Sequence, residues 1–195
     1  MENESTPAPI RTVAPTFEPI SLKEAKKQLE LPAELADHDE HLSRLIELAR
    51  EQVEHDTGLI LPSATYVWKF DEWPTCDLIL NRRPLASITS ITYVDASGST
   101  QTLSTSVYEL DSYRVEPSVR QKYNQTWPTI RGHENDITLT AVCGYATAAL
   151  IPVMARQACL LIVAREFTER AGLAIKWDMD GYDRLIRRML RSSYP

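Results

Sequence analysis

Residues 37–70 read DHDEHLSRLIELAREQVEHDTGLILPSATYVWKF, and this stretch decides the fold class. In its first part, apolar residues return every three or four positions, which is the period of one face of an α-helix. Asp37, followed by Glu40, predicts the start of a helix over about 38–57, and Gly58 predicts its end. The apolar face comprises Leu42, Leu45, Ile46, Ala49 and Val53, and the opposite, solvated face Arg44, Glu47, Glu51 and Glu54.

The chain changes character after Leu61, where short runs of β-branched and aromatic residues are separated by Pro, Gly, Asn and Asp. Asp95-Ala96-Ser97-Gly98 is typical of a hairpin turn, with Gly98 at a positive φ. The sequence therefore predicts an α+β fold, a small helical core with a β-rich insertion at about 61–145. The candidate strands cover 65–70, 77–80, 87–94, 100–103, 107–110 and 137–142.

Three further helices are predicted around the insertion, over about 21–30, 152–171 and 181–191. Ser21 and Glu24 form a capping box, in which each side chain satisfies a backbone N–H of the first turn. Pro152 suits the first turn of its helix, where its missing N–H breaks no hydrogen bond. The middle of that helix, 158–164, is apolar on every side, so either the core of this protein or another subunit encloses it.

The predicted helix over 181–191 has one apolar and one basic side. A helix of about ten residues is only marginally stable alone in water, so it needs a surface to pack against. The protein's own core, a protein partner, nucleic acid and a membrane surface are the alternatives. The apolar side consists of Leu185, Ile186, Met189 and Leu190, and the basic side of Arg184, Arg187, Arg188 and Arg191.

These patterns divide the chain into three parts. Residues 1–20 contain four prolines and no sustained periodicity, which predicts an extended N-terminal arm. Residues 21–172 form the core with its β-rich insertion, and residues 173–195 form a C-terminal tail that carries the basic amphipathic helix. The arm is a segment that we expect to become ordered on a partner.

The overall composition, with 43% hydrophobic and 25% charged residues, is that of an ordinary soluble globular protein. The longest apolar run, 158–164, is far shorter than the roughly 20 residues that span a bilayer, and the N-terminus has no secretory signal. We therefore expect no transmembrane helix and a cytoplasmic site of synthesis, in which Cys76, Cys143 and Cys159 are reduced. No membrane partner is expected, because the helix over 181–191 is short and has no Trp or Phe on its apolar side.

The charge of the chain is unevenly distributed around its net value of −6. Residues 1–56 hold 13 acidic and 6 basic residues, whereas residues 156–195 hold 5 acidic and 8 basic ones. The acidic total argues against a DNA-binding protein as such, although the basic tail is suited to local contact with a partner.

No side-chain pattern in the sequence predicts catalysis. His38 and His41 lie beside acidic residues, but His55 is about 21 Å further along the helix, so the three cannot share a metal ion. Cys143 with His133 would be the thiol and base of a small hydrolase, yet a cysteine in an apolar strand is more typical of a core residue. We predict a non-enzymatic interaction protein without metal or cofactor.

The order and spacing of several sequence stretches indicate a function. SLKEAKKQL at 21–29, VEHDTG at 53–58, LNRRPLASITSITYVD at 80–95, YNQTWP at 123–128 and VCGY at 142–145 precede the helix that starts at Pro152. In order and spacing they resemble the head-tail connector (adaptor, or head completion) proteins of long-tailed bacteriophages, prophages and gene transfer agents. The chain departs from that pattern in its long arm and in Leu59, where an arginine commonly follows the glycine.

The resemblance implies a virion structural protein of the neck, assembled in the bacterial cytoplasm as a homo-oligomeric ring, twelvefold in this family. Such a ring sits beneath the portal protein, extends the DNA channel and presents a platform to the stopper or tail-completion protein. DNA passes through without sequence-specific binding. The alternatives are another ring component of the neck, such as the stopper or tail-completion protein itself, and the cysteine-dependent hydrolase.

Two site hypotheses follow for the ring. The first is that the acidic face with Glu47, Glu51 and Glu54 lines or rims the channel, where negative charge keeps DNA from adhering. The second is that the helix over 181–191 docks into a groove of the portal, through its apolar stripe and its four arginines. On this hypothesis, removing residues 182–195 abolishes portal attachment while the core stays folded.

Overall fold

The structure, a computed structural model, describes residues 7–111, 116–170 and 180–191, with the side chains of Arg170 and Arg191 excluded. The chain divides into two compact units. The β unit comprises the described parts of Met1–Ala14 and Ser63–Gly144, and the helical unit those of Pro15–Pro62 and Tyr145–Tyr194. The predicted α+β class is confirmed, with four α-helices and two antiparallel sheets in the described residues.

The helical unit contains α1 (Leu22–Gln28), α2 (Asp39–Thr57), α3 (Val153–Arg170) and α4 (Asp180–Arg191), with a short 3-10 turn at Ala148–Leu150. These bounds lie within two residues of the predicted ones wherever both ends are described. The tail predicted over 173–195 is described only from 180 to 191, and position 171 also lies outside the described residues.

Local signals account for the start of α1 and the end of α2. The Ser21 hydroxyl accepts the Glu24 N–H at 3.2 Å, and the Glu24 carboxylate accepts the Ser21 N–H at 2.8 Å, so the capping box is confirmed. Gly58 ends α2 in the left-handed conformation at φ 68°. The predicted start at Asp37 is wrong, because His38 is the N-cap residue and makes no side-chain capping bond.

One apolar cluster forms the core of the helical unit. The predicted apolar face of α2 is buried in it, and the apolar middle of α3 is largely enclosed by it, with Leu160 and Leu161 partly buried at its border. Burial of each large aliphatic side chain contributes about 1.5–3 kcal/mol to folding. The cluster includes Leu42, Leu45, Ile46, Ala49 and Val53 of α2, Ala155, Ala158, Cys159, Ile162 and Val163 of α3, and Tyr182, Ile186 and Met189 of α4.

The β unit contains two antiparallel sheets. The five-stranded sheet has the order β1-β2-β8-β4-β5, and the three-stranded sheet the order β3-β7-β6. All six candidate strands are present, whereas β1 and β7 were not predicted from the sequence. The strands are β1 (Ile10–Val13), β2 (Ala64–Phe70), β3 (Leu78–Ile79), β4 (Leu85–Val94), β5 (Thr100–Thr102), β6 (Tyr108–Asp111), β7 (Ser118–Gln121) and β8 (Ile137–Cys143).

The core of the five-stranded sheet follows from alternation along β8. Ile137, Leu139, Ala141 and Cys143 are fully buried, while the residues between them are half-exposed, as expected for a strand with one buried face. Trp68 of β2, opposite Leu139 in the ladder, is the largest fully buried side chain of the described residues.

Among the described helices, none combines the length and the hydropathy that crossing a bilayer requires.

The predicted N-terminal arm contains structure that its composition did not indicate. Residues 10–13 pair with β2 as strand β1. Ile20 is buried in the helical core, and Phe17 packs against that core. The short strand depends on a partner more than fifty residues away, so local sequence patterns could not predict it.

The hairpin between β4 and β5 is confirmed, with Gly98 at φ 84°. The carboxylate of Asp95 accepts the N–H groups of Ser97 and Ser99 at 2.9 and 3.0 Å and the side-chain amide of Gln101 at 2.9 Å. The hydroxyl of Ser97 also donates to it, and these bonds, which favour the ionised form, lower the pKa of Asp95 to about 2.

We expect Ser97→Ala to raise the pKa of Asp95 from about 2 toward its ordinary 3.8, because the hydrogen bond from the Ser97 hydroxyl contributes most to lowering that pKa. Because the folded state holds this pKa low, ionised Asp95 stabilises the hairpin at any pH above its ordinary pKa of 3.8. The stabilisation is lost as the pH falls from 3.8 through about 2. An NMR titration of the Asp95 carboxyl carbon measures the change, with Ser106→Ala as the control. An unchanged pKa in Ser97→Ala would contradict this assignment.

Candidate interaction surfaces

Helix α4 uses most of its apolar stripe inside the helical unit. Ile186 and Met189 are buried in the core, and Leu185 is partly buried against it. The hydroxyl of Tyr182, also buried, donates to the Asp56 carboxylate of α2 at 2.6 Å. The expectation that this stripe as a whole enters a partner's groove therefore needs correction, because three of its four residues pack on this protein's own core.

The exposed side of α4 carries positive charge and one apolar residue. Arg184, Arg187 and Arg188 are exposed, and Leu190 is 51% exposed. Asp180 and Asp183 lie at the start of the same helix. We call Arg184, Arg187, Arg188 and Leu190 the α4 surface; the side chain of Arg191, the fourth predicted arginine, lies outside the described residues.

The solvated face of α2 is narrower than the sequence predicts. Glu47 and Glu51 are exposed, and so is Leu48, the residue that follows Glu47. Glu54 differs, because its side chain is only 12% exposed. Its carboxylate accepts the N–H of Leu61 at 2.8 Å, so Glu54 fixes the chain after Gly58 and is not part of an open acidic face.

A buried arginine joins α2 to the segment that precedes α1. The guanidinium of Arg50 lies 2.9 Å from the carboxylate of Glu18 and 3.5 Å from that of Glu54. Exposed Glu51 lies 3.7 Å away. Burial raises the pKa of Glu18, although Arg50 acts in the opposite direction. This ion-pair cluster anchors Glu18, which the sequence placed in an extended arm.

The two histidines at the start of α2 pack against α3. The ring centroids of His38 and His41 lie 5.5 and 6.1 Å from that of Phe167. Both side chains are half-buried, so the start of α2 is not simply a solvated surface. Within the described residues, no three metal-ligating side chains come together.

The geometry does not support a cysteine hydrolase. Cys143 is fully buried at the end of β8, and burial raises its pKa to about 12, so the thiolate does not form at neutral pH. His133 is exposed and precedes the opposite end of β8. A seven-residue strand spans about 20 Å, which leaves the imidazole far from the thiol.

The YNQTWP stretch has a structural role in the β unit. Trp127 stacks on Trp73, with ring centroids 4.6 Å apart and nearly parallel planes, and the indole N–H of Trp73 donates to the carbonyl of Pro128 at 2.9 Å. Tyr93 meets Trp73 edge-on at 6.0 Å. Tyr123, at the start of the stretch, is almost fully exposed.

Sequence reasoning missed two exposed apolar features. Ile10 and Val13 of β1 are exposed, and so are Leu150 and Val153 at the start of α3. For the second pair a signal existed, because residues 144–155 form a stretch without any charged residue. For β1 none existed, because its exposure follows from its place at the sheet edge.

Comparison with solved structures finds the same fold in particle necks. A chain from the neck of an empty GTA particle computed with C6 symmetry and one from the virion of a native gene transfer agent (GTA) particle each match with a TM-score of 0.78 and 21% identity. Each match covers 94% of this chain and 95% of the other. A chain from the neck of a native GTA particle computed with C12 symmetry matches with a TM-score of 0.71 and 19% identity, over 94% of both chains. No protein-family model matches the sequence, and no curated protein matches it.

Proposed function

We propose that this protein is a head-tail connector (adaptor) of a phage-like particle. It forms a ring beneath the portal, extends the DNA channel and provides the platform for the stopper or tail. The observation that supports this most is the fold, which is shared over 94% of the chain with chains from GTA particle necks. The role is structural, in the virion neck, after assembly in the bacterial cytoplasm.

The proposed ring has twelve copies, in line with the C12 symmetry used for one of the matching necks. A closed ring needs two different, complementary surfaces on each copy, because every subunit contacts its neighbours head to tail. The GTA necks computed with C6 and C12 symmetry support this kind of assembly.

In this ring, Glu47 and Glu51 line or rim the DNA channel. Their carboxylates are exposed, and repetition in every copy would produce a ring of negative charge. Such a ring repels the phosphate backbone and lets DNA pass without adhering or being read in sequence. Glu54 does not contribute to this charged surface, because its carboxylate accepts the Leu61 N–H within the helical unit.

The α4 surface is the proposed contact with the portal. Its three arginines are exposed on one side of a helix whose other side is held by the core, so they are presented on a rigid element. Leu190 adds an exposed apolar side chain to this charged surface. Charge of this kind mainly accelerates and orients association with an acidic partner surface.

Electron microscopy of the protein mixed with its cognate portal tests the proposal. A ring coaxial with the portal, formed without any other neck protein, is the expected result. A stopper or tail-completion protein would bind only after another neck component is present. Failure to bind the portal alone, combined with binding to a portal that already carries its adaptor, would assign the protein to one of those roles.

We expect Arg184→Glu/Arg187→Glu to weaken portal binding about tenfold, which corresponds to roughly 1.4 kcal/mol. Both side chains are exposed, so the fold should be retained. The matched control is Lys23→Glu/Lys27→Glu on α1, which reverses two exposed charges elsewhere in the helical unit. Biolayer interferometry at several salt concentrations measures both, and an equal loss in the two variants would contradict a specific role of the α4 surface.

A further inference from the structure

Strand β1 is an edge strand with exposed apolar side chains. One side of β1 pairs with β2, and no described strand pairs with its other side. Ile10 is 63% and Val13 54% exposed. Natural proteins usually protect such edges with charged residues, proline, bulges or a covering element, since an open edge is a template for another strand. In β1 the register shifts between Arg11 and Val13, so only a short regular stretch is available.

The opposite edge of the same sheet is also open. The residues on either side of β5 are bonded to β4 and its turn: the Ser99 carbonyl accepts the Asp95 N–H, and the Leu103 N–H donates to the Ile91 carbonyl. Because backbone groups alternate in direction along an antiparallel strand, those of Thr100 and Thr102 point away from β4. No strand in the described residues lies on that side, and all three residues of β5 are exposed.

We propose that neighbouring copies in the ring share one continuous β-sheet, in which β1 of one copy pairs with β5 of the next. The inference rests on the proposed ring. The contact concerned is the lateral one between neighbouring copies.

Three features favour a second copy as the occupant of each edge. The edges are different and lie at opposite ends of one sheet, so their pairing is head to tail and repeats around a ring. Their lengths are similar, four residues in β1 and three in β5. Both edges are rich in β-branched side chains, which pack well against one another across paired strands. The contact would also cover Ile10 and Val13.

Cysteine pairing tests the contact in the full-length protein. One chain carries Ile10→Cys and the other Thr100→Cys or Thr102→Cys, all in a Cys76→Ser background because Cys76 is the exposed native thiol of the described residues. Paired strands bring Cα atoms to about 4.5–5.5 Å, which a disulfide can span. The control pairs Ile10→Cys with Tyr123→Cys, a position that is also exposed. The mixtures are assembled with the portal and oxidised.

We expect the β1–β5 pairs to crosslink at least fivefold more than the control. A single chain that carries Ile10→Cys and Thr102→Cys should produce a ladder of linked copies. As a second measurement, Thr102→Pro removes one outward N–H without breaking a bond to β4, so it should reduce ring formation at least tenfold relative to Thr102→Ala, with similar thermal stability.

The outcomes separate this inference from the proposed function. Rings that form on the portal with crosslinking no greater than in the control, or undiminished by Thr102→Pro, would overturn the shared sheet and leave the connector proposal intact. Absence of any ring from the wild-type protein, with or without portal, would overturn the proposed function and the shared sheet together.

Discussion

Replacing Arg50 with methionine is expected to lower the free energy of unfolding of the helical unit by about 3 kcal/mol. The side chain of Arg50 is buried, and its guanidinium neutralises Glu18 and Glu54. Methionine fills a similar volume but leaves these carboxylates without their cation. The expected loss is at the lower end of the range for broken buried ion pairs, because Glu18 remains 29% exposed.

The matched control is Arg44→Met on the same helix. Arg44 pairs with Glu40 one turn away in an exposed position, and such a pair contributes about 0.3–0.5 kcal/mol. Urea unfolding followed by circular dichroism at 222 nm measures both variants. Adding Glu54→Gln to Arg50→Met should recover part of the loss, since it removes a largely buried negative charge that no longer faces a guanidinium. Equal effects of the two arginine substitutions would show that Arg50 is not the anchor we infer.

The destabilisation by Arg50→Met should also depend on pH. Burial raises the pKa of Glu18 above its ordinary 4.5, so the folded protein prefers the protonated carboxyl more than the unfolded chain does. The penalty from this group is therefore present above the folded pKa and disappears as the pH falls below 4.5. Without Arg50 this penalty grows, so the gap between variant and wild type should narrow on acidification. A gap that widens would contradict this assignment.

Features that depend on a few neighbouring residues could be predicted from the sequence. The Ser21 capping box, the stop at Gly58 and the turn at Gly98 all have their partners within four residues. The alternation that marks β8 is also local, because one buried face imposes a period of two. Together these signals were sufficient for the α+β class and for most element bounds.

Features that depend on distant residues could not be predicted. Strand β1 exists because β2 lies beside it; three of its four residues are β-branched, but they do not alternate between apolar and polar. Glu54 has the helical phase of a solvated residue, but the chain after Gly58 places the Leu61 N–H against its carboxylate. His38 and His41 look solvated until Phe167, more than a hundred residues later, packs against them.

Helix α4 shows the same limit at the candidate site. Its periodicity correctly indicates an amphipathic helix, but a period does not specify which surface covers the apolar side. Tyr182, Ile186 and Met189 are buried in the core, so deletion of residues 182–195 would remove core side chains together with the arginines. Loss of portal attachment in that deletion would not separate docking from folding. Single substitutions on the two sides of α4 are the better test.

Met189→Ala is expected to destabilise the helical unit by about 2–5 kcal/mol, the usual cost of removing a large side chain from a packed core. Met189 is 1% exposed, whereas its neighbour Leu190 is 51% exposed, so Leu190→Ala is a matched control that should change stability by less than about 0.5 kcal/mol. Urea unfolding measures both.

In a portal-binding measurement the order of the two variants should be reversed, with Leu190→Ala more affected than Met189→Ala. Leu190→Ala is expected to weaken binding by a protein that remains as stable as the wild type, because Leu190 belongs to the proposed α4 surface. Met189→Ala, measured where it is still folded, should bind nearly as the wild type does, because its side chain faces the core. The reverse result, with a stable Met189→Ala that cannot bind, would mean that α4 leaves the core and enters the portal through its apolar stripe, as in the docking hypothesis that follows from the family resemblance.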